Sequence, residues 1–86
     1  MKIVCDKNMP YAAEAFGTLG DVLAKDGRQI APEDVRDAEL LITRSTTKID
    51  AALLAGGAVR FYGSGVIGTD HIDIPYLESR GIVWTG

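Results

Sequence analysis

Two short stretches hold the side chains best suited to chemistry. The first, Arg44-Ser45-Thr46-Thr47-Lys48, sets three hydroxyls between two cations. The second runs from Gly63 to His71 and joins spaced glycines to an Asp70-His71 pair. Hydroxyls and free backbone N–H groups beside cations suit a phosphate or a carboxylate. The plainer reading of Arg44–Lys48 is a polar turn entering a helix capped by Asp50. On side-chain chemistry alone the turn is preferred, and a second observation is needed to reverse that.

His71 is the only histidine. A catalytic imidazole needs a partner, and only Asp70 and Asp73 lie close in sequence. Both aspartates read as caps of a turn and a helix. His71 is therefore expected to be a partly buried histidine bonded to backbone. Cys5 is the only cysteine, so no internal disulfide can form. It falls inside a strand-like run, where a free thiol is buried and inert. No Cys/His group has metal-ligand spacing, and no metal site is expected. Gly63, Gly65 and Gly68 fit the dinucleotide spacing G-x-G-x-x-G. The pattern is rejected as a nucleotide site, because the next helix start falls at Asp73 and the following strand carries no acidic residue.

These stretches must be positioned by something. Five apolar runs, Lys2–Cys5, Asp21–Ala24, Leu40–Thr43, Val59–Tyr62 and Ile82–Trp84, read as strands covered on both faces. Helix signals lie between them. Pro10 fits the first position of a helix that sets Ala12, Phe16 and Leu19 on one face and ends at Gly20. The next three segments share one spacing. Ile30 and Val35 flank a start at Pro32, Ile49 and Leu54 flank Asp50, and Ile72 and Leu77 flank Asp73. An apolar residue before the cap and another five positions later form a hydrophobic staple. Gly56-Gly57 and Gly81 supply the stops.

Strands alternating with helices imply a parallel sheet with right-handed crossovers. Five such strands take the flavodoxin-like order 2-1-3-4-5. Ligands on such sheets bind beyond the carboxyl ends of the strands, near the point where the strand order reverses. The candidate loops are then Asp6–Pro10, Arg44–Lys48 and Gly63–His71. A chain of 86 residues forms one domain. Its net charge of −3 argues against nucleic acid as a partner. No apolar run approaches the roughly 20 residues that span a bilayer. With no signal-like start, the expected setting is cytoplasmic.

The opening Met1–Phe16, the segment Leu40–Gly56 and above all Val66–Ile82 (VIGTDHIDIPYLESRGI) resemble the D-isomer-specific 2-hydroxyacid dehydrogenases. Within them the likeness is to members that oxidise 4-phospho-D-erythronate for pyridoxal phosphate synthesis. The resemblance covers the whole chain. It implies a single truncated substrate-binding domain, residues 1–86, that helps hold a phosphorylated hydroxyacid. Ser45 matches a substrate-contacting serine, which supplies the second observation that Arg44–Lys48 required. Thr46 lies beside it. Val66 stands where the family usually carries Thr, so a hydroxyl contact becomes an isopropyl group. The family's catalytic Arg, Glu and His, and its NAD-binding Rossmann domain, belong to a region beyond Gly86. The resemblance thus implies that His71 is not the catalytic histidine. It also implies that no residue here is catalytic or cofactor-binding, with NAD serving the complete enzyme only.

Topology adds an expectation. The first helix covers one face and the other three cover the opposite one. A fifth helix, which would complete the first layer, is absent from the sequence. Alternate residues of the third to fifth strands should then form an open apolar strip on the order of several hundred Å², a size that marks association surfaces. A homodimer or higher oligomer is expected. The alternative to a dehydrogenase segment is a self-associating structural half-domain or an engineered fragment. A receiver-like or flavin-binding module fits poorly. Strand three ends in Thr43-Arg44 rather than Asp, and Asp6–Pro10 lacks the hydroxyls and glycines of a flavin loop.

Overall fold

The computed structural model describes residues 1–9, 14–65 and 68–85. Five parallel strands, β1 (Lys2–Asp6), β2 (Asp21–Lys25), β3 (Leu40–Thr43), β4 (Phe61–Ser64) and β5 (Val83–Thr85), pair in the order β2-β1-β3-β4-β5. This is the flavodoxin-like order expected from the sequence. Helices α1 (Pro32–Val35), α2 (Ala51–Leu54) and α3 (Ile74–Ser79) connect the later strands, and a 3-10 turn spans Gly27–Gln29. No helix among the described residues is long and apolar enough to cross a membrane.

The three staples hold. Ile30, Val35, Ile49, Leu54, Ile72 and Leu77 are all buried in one core. Each burial removes enough apolar surface to contribute about 1.5–3 kcal/mol. The caps are made by side chains: Asp50 accepts from the Leu53 N–H and Asp73 from the Tyr76 N–H, each at 3.1 Å. At α1 the cap position is Ala31, and Asp34 reaches back to accept its N–H at 2.8 Å. Gly56 and Gly81 take positive φ, 77° and 69°, where a side chain would be strained, so they stop α2 and α3.

Several boundaries differ from the sequence reading, and β1, β2, β4 and β5 end one or two residues later, at Asp6, Lys25, Ser64 and Thr85. β4 starts two residues later than Val59, because β3 supplies partners only from Leu40 onward. The N–H groups of Arg60 and Phe61 both turn to the Glu39 carbonyl instead. β5 starts after Ile82, whose N–H closes the end of α3 on the Leu77 carbonyl at 2.9 Å. In the first helical segment, Pro10 and Ala12 lie outside the described residues, and residues 14–16 are helical. Leu19 does not share the packed face of Phe16. It lies in a turn after the helix and is 59% exposed.

The sheet faces are unequal. One carries Val4, Leu41, Tyr62 and Trp84 in register, packed against the core built from α1 to α3. The other carries Ile3, Leu40, Phe61 and Val83 in register. Phe16 and Met9 pack near Cys5, Ile42 and Leu40 on this second face. Phe61 is 49% exposed and Val83 60%. The open apolar strip expected over β3 to β5 is narrower than read: Phe61 and Val83 stand open, while Ile42 is buried and Leu40 partly so.

Candidate functional site

The carboxyl ends of β1, β3 and β4 meet at the reversal of strand order, the expected place for a ligand. The loops after β3 and β4 are tied by a short parallel bridge. The Ile49 N–H donates to the His71 carbonyl and the Asp73 N–H to the Ile49 carbonyl, both at 2.8 Å. The bridge sets Ser45 and Lys48 beside Gly68, Asp70 and His71 around an open cleft of about 470 Å³. Ser45 and Lys48 are exposed at its edge. A second hollow of about 230 Å³ lies against the open sheet face between Phe16, Leu40, Phe61 and Val83. Among the described residues no charged side chain lines it, so it offers a polar ligand little. The cleft around Ser45 is the better candidate.

His71 has partners that sequence reasoning missed. Its Nε2 lies 3.1 Å from the Tyr62 hydroxyl and 3.5 Å from Ser64 Oγ, where a backbone partner was expected. The Tyr62 hydroxyl lies 2.7 Å from Thr43 Oγ1, and both residues are fully buried. The chain Thr43–Tyr62–His71 thus runs from the core to the cleft. Burial pushes the Tyr62 phenol up, against hydrogen bonds from Thr43 and Ser64 that act the other way. Burial pushes the His71 imidazolium below the ordinary histidine range, with Asp70 opposing it in part. Near neutral pH His71 is therefore a neutral imidazole held by a phenol.

Asp6 was read as a loop residue, yet it ends β1 and is fully buried. Its Oδ1 accepts the Asn8 N–H at 2.8 Å, and its Oδ2 faces Arg44 Nε at 3.3 Å and Thr46 Oγ1 at 3.4 Å. Burial raises the carboxyl, but the Asn8 N–H and the Arg44 guanidinium outweigh it and hold Asp6 below the usual carboxylate range. Thr46, expected beside Ser45, therefore turns its hydroxyl to Asp6. Thr47 is buried and donates to the Gly27 carbonyl at 2.7 Å. Val66 lies outside the described residues. Cys5 is buried, and burial together with the nearby Asp6 charge raises its thiol, which keeps it unreactive.

The glycine spacing does not make a dinucleotide loop. Gly63 is a strand residue, paired with Ile42 and Thr85, and α3 begins only at Ile74. A pyrophosphate needs a helix N-terminus directly after the glycines. The placement of Gly63 and of the α3 start does not fit a dinucleotide's pyrophosphate.

Residues 2–86 match the model of the D-isomer specific 2-hydroxyacid dehydrogenase catalytic domain. The chain belongs to this family. An erythronate-4-phosphate dehydrogenase of Shewanella oneidensis is 51% identical over 86 residues, which are 99% of this chain and 23% of that protein. Erythronate-4-phosphate dehydrogenases of Cellvibrio japonicus and Saccharophagus degradans are 51% and 47% identical over 85 residues each. The chain thus spans about a quarter of the length of the curated relatives it matches. Among solved structures, a D-lactate dehydrogenase of Aquifex aeolicus complexed with NAD and lactic acid has a TM-score of 0.76 and 22% identity. The match covers 99% of this chain and 27% of that one. At that identity the likeness speaks for the fold alone.

Proposed function

We propose that this chain is part of the substrate-binding domain of an NAD-dependent dehydrogenase acting on 4-phospho-D-erythronate, a step of pyridoxal phosphate synthesis. The observation that carries the reading is Ser45. It stands exposed at the edge of an open cleft shared with the Lys48, Asp70 and His71 side chains, at the carboxyl ends of the strands, in a chain 51% identical to an erythronate-4-phosphate dehydrogenase. Ser45 contributes a hydroxyl to the substrate, with Thr46 and Val66 as flanking positions. Lys48 supplies positive charge at the same edge. Hydride transfer and NAD binding belong to parts of such an enzyme that these 86 residues do not supply, and the chain by itself turns nothing over. A cytoplasmic setting completes the reading, one that the free, buried Cys5 suits.

Calorimetric titration tests this. Expected are weak binding of 4-phospho-D-erythronate, no binding of NAD, and a five- to tenfold weaker interaction in Ser45→Ala, about what one hydrogen bond contributes. Tight NAD binding contradicts the reading.

A second reading concerns the open sheet face. For the 86-residue chain by itself, a second copy is the proposed occupant over Phe61 and Val83, which are 49% and 60% exposed. A strip of roughly 400 Å² per chain is about half of a standard interface, so the dimer is weak. In a protein as long as the relatives, further chain competes for the same face. Sedimentation is expected to show concentration-dependent association that Val83→Asp abolishes; a monomer at high micromolar concentration rules the dimer out.

A further inference from the structure

Ser45 is exposed, yet its neighbours on both sides are anchored. Thr46 Oγ1 reaches Asp6 at 3.4 Å and Thr47 Oγ1 reaches the Gly27 carbonyl at 2.7 Å. Arg44, just before Ser45, pairs with the same Asp6 oxygen at 3.3 Å. Asp6 ends β1, Gly27 follows β2 and the loop follows β3, so three adjacent strand ends converge on one polar knot.

Gly27 fills the knot's centre. A Cβ added there would fall on Asp6 Oδ2 and Thr46 Oγ1 and lie 2.9 Å from Thr47 Oγ1. That spacing leaves no room for a methyl group without displacing at least one of the three side chains. Asp6 is fully buried and Thr47 nearly so. A buried carboxylate that loses its partners carries a large desolvation cost, which makes the arrangement all-or-none rather than loose.

We propose that Asp6, Gly27 and Thr47 are positioning residues: they clamp the Arg44–Lys48 loop and so aim the Ser45 hydroxyl at the cleft. None of the three needs to touch the ligand. The ligand part of this inference rests on the reading of Ser45 as a substrate contact; the clamp itself does not. The clamp acts through the loop's order, so its removal lowers affinity at the cleft while leaving distant parts of the sheet unchanged. Thr47→Ser keeps the hydroxyl that reaches Gly27, whereas Thr47→Val keeps the shape and loses the hydrogen bond.

The test compares the full 86-residue chain with Asp6→Asn, Gly27→Ala, Thr47→Val and Thr47→Ser. Amide hydrogen exchange and amide chemical shifts are followed, then 4-phospho-D-erythronate is titrated. Expected for Asp6→Asn, Gly27→Ala and Thr47→Val are displaced Ser45 and Lys48 amide resonances and roughly tenfold faster exchange at the loop's backbone. Amides of β4, β5 and α3 should stay as they are, and Thr47→Ser should behave as the parent. Binding of 4-phospho-D-erythronate should weaken in parallel with the loop's displacement. The clamp is refuted if Ser45 and Lys48 amides are unmoved in Asp6→Asn and Thr47→Val, or if Thr47→Ser is as disturbed as Thr47→Val. Should Asp6→Asn or Gly27→Ala not fold, the Thr47 pair decides. If the parent chain binds no 4-phospho-D-erythronate, the substrate reading fails, and the resonances still judge the clamp.

Discussion

The two faces of the sheet are made by the same five strands, yet they end in opposite states. On one, Val4, Leu41 and Tyr62 are fully buried beneath three short helices. On the other, the row Ile3, Leu40, Phe61, Val83 passes from buried at the centre to 60% exposed at the edge. Strand propensity is alike on both, since β-branched and aromatic residues occupy each row. What differs is cover: α1, α2 and α3 lie on the first face, whereas among the described residues Phe16 and Met9 pack on the second, near Cys5, Ile42 and Leu40. Burial follows the crossovers rather than the hydrophobicity of the strand residues.

The largest effect that would break this comparison is truncation at its centre. Leu41→Ala on the covered row should cost about 2–5 kcal/mol, since the surrounding core cannot collapse fully. Val83→Ala on the open row should cost under about 1 kcal/mol. Urea unfolding of both variants measures the contrast, and equal losses would mean that the open row is covered in solution.

Tyr62→Phe comes next. It keeps the ring in the core and removes the hydroxyl shared by Thr43 and His71. Thr43 Oγ1 loses its partner in the interior, so a loss of about 1–3 kcal/mol is expected in the same assay.

The smallest effect is a pH dependence. The His71 value lies below its ordinary 6.5, so between the two values the unfolded chain binds the proton more readily than the folded one. Stability should therefore fall as pH drops below about 6.5 and level off once the folded-state value is passed. Asp6, whose folded value is lowered, adds its stability above the ordinary 3.8 and loses it as pH falls through that lowered value. Urea midpoints between pH 5 and 7.5 should slope downward toward acid in the parent and flatten in His71→Gln.

Much of the frame was legible in the sequence. The repeated staple spacing around Pro32, Asp50 and Asp73 marked three helix starts, and all three are present. Strand order followed from alternation and handedness. Residue-level placement near the ligand end was less legible. Gly63 read as loop because glycine is a turn signal, but its pairing with Ile42 and Thr85 depends on where β3 begins. Tyr62 and His71 lie nine apart in sequence and meet only once β4 extends to Ser64. Asp6 read as a loop residue, although a carboxylate closing an apolar run, with Arg44 closing another, was a usable signal for their pairing across neighbouring strands. Thr47 gave no signal, since its partner is a backbone carbonyl after β2.

The central claim is that a polar ligand enters at the carboxyl ends of the strands and leaves the open apolar face alone. Titrating 4-phospho-D-erythronate into isotopically labelled chain and following every amide tests it most directly. The account predicts saturable shifts at Ser45, Lys48, Gly68 and His71, with Phe61 and Val83 unmoved. Shifts centred on Phe61 and Val83, or none anywhere at millimolar ligand, would contradict it.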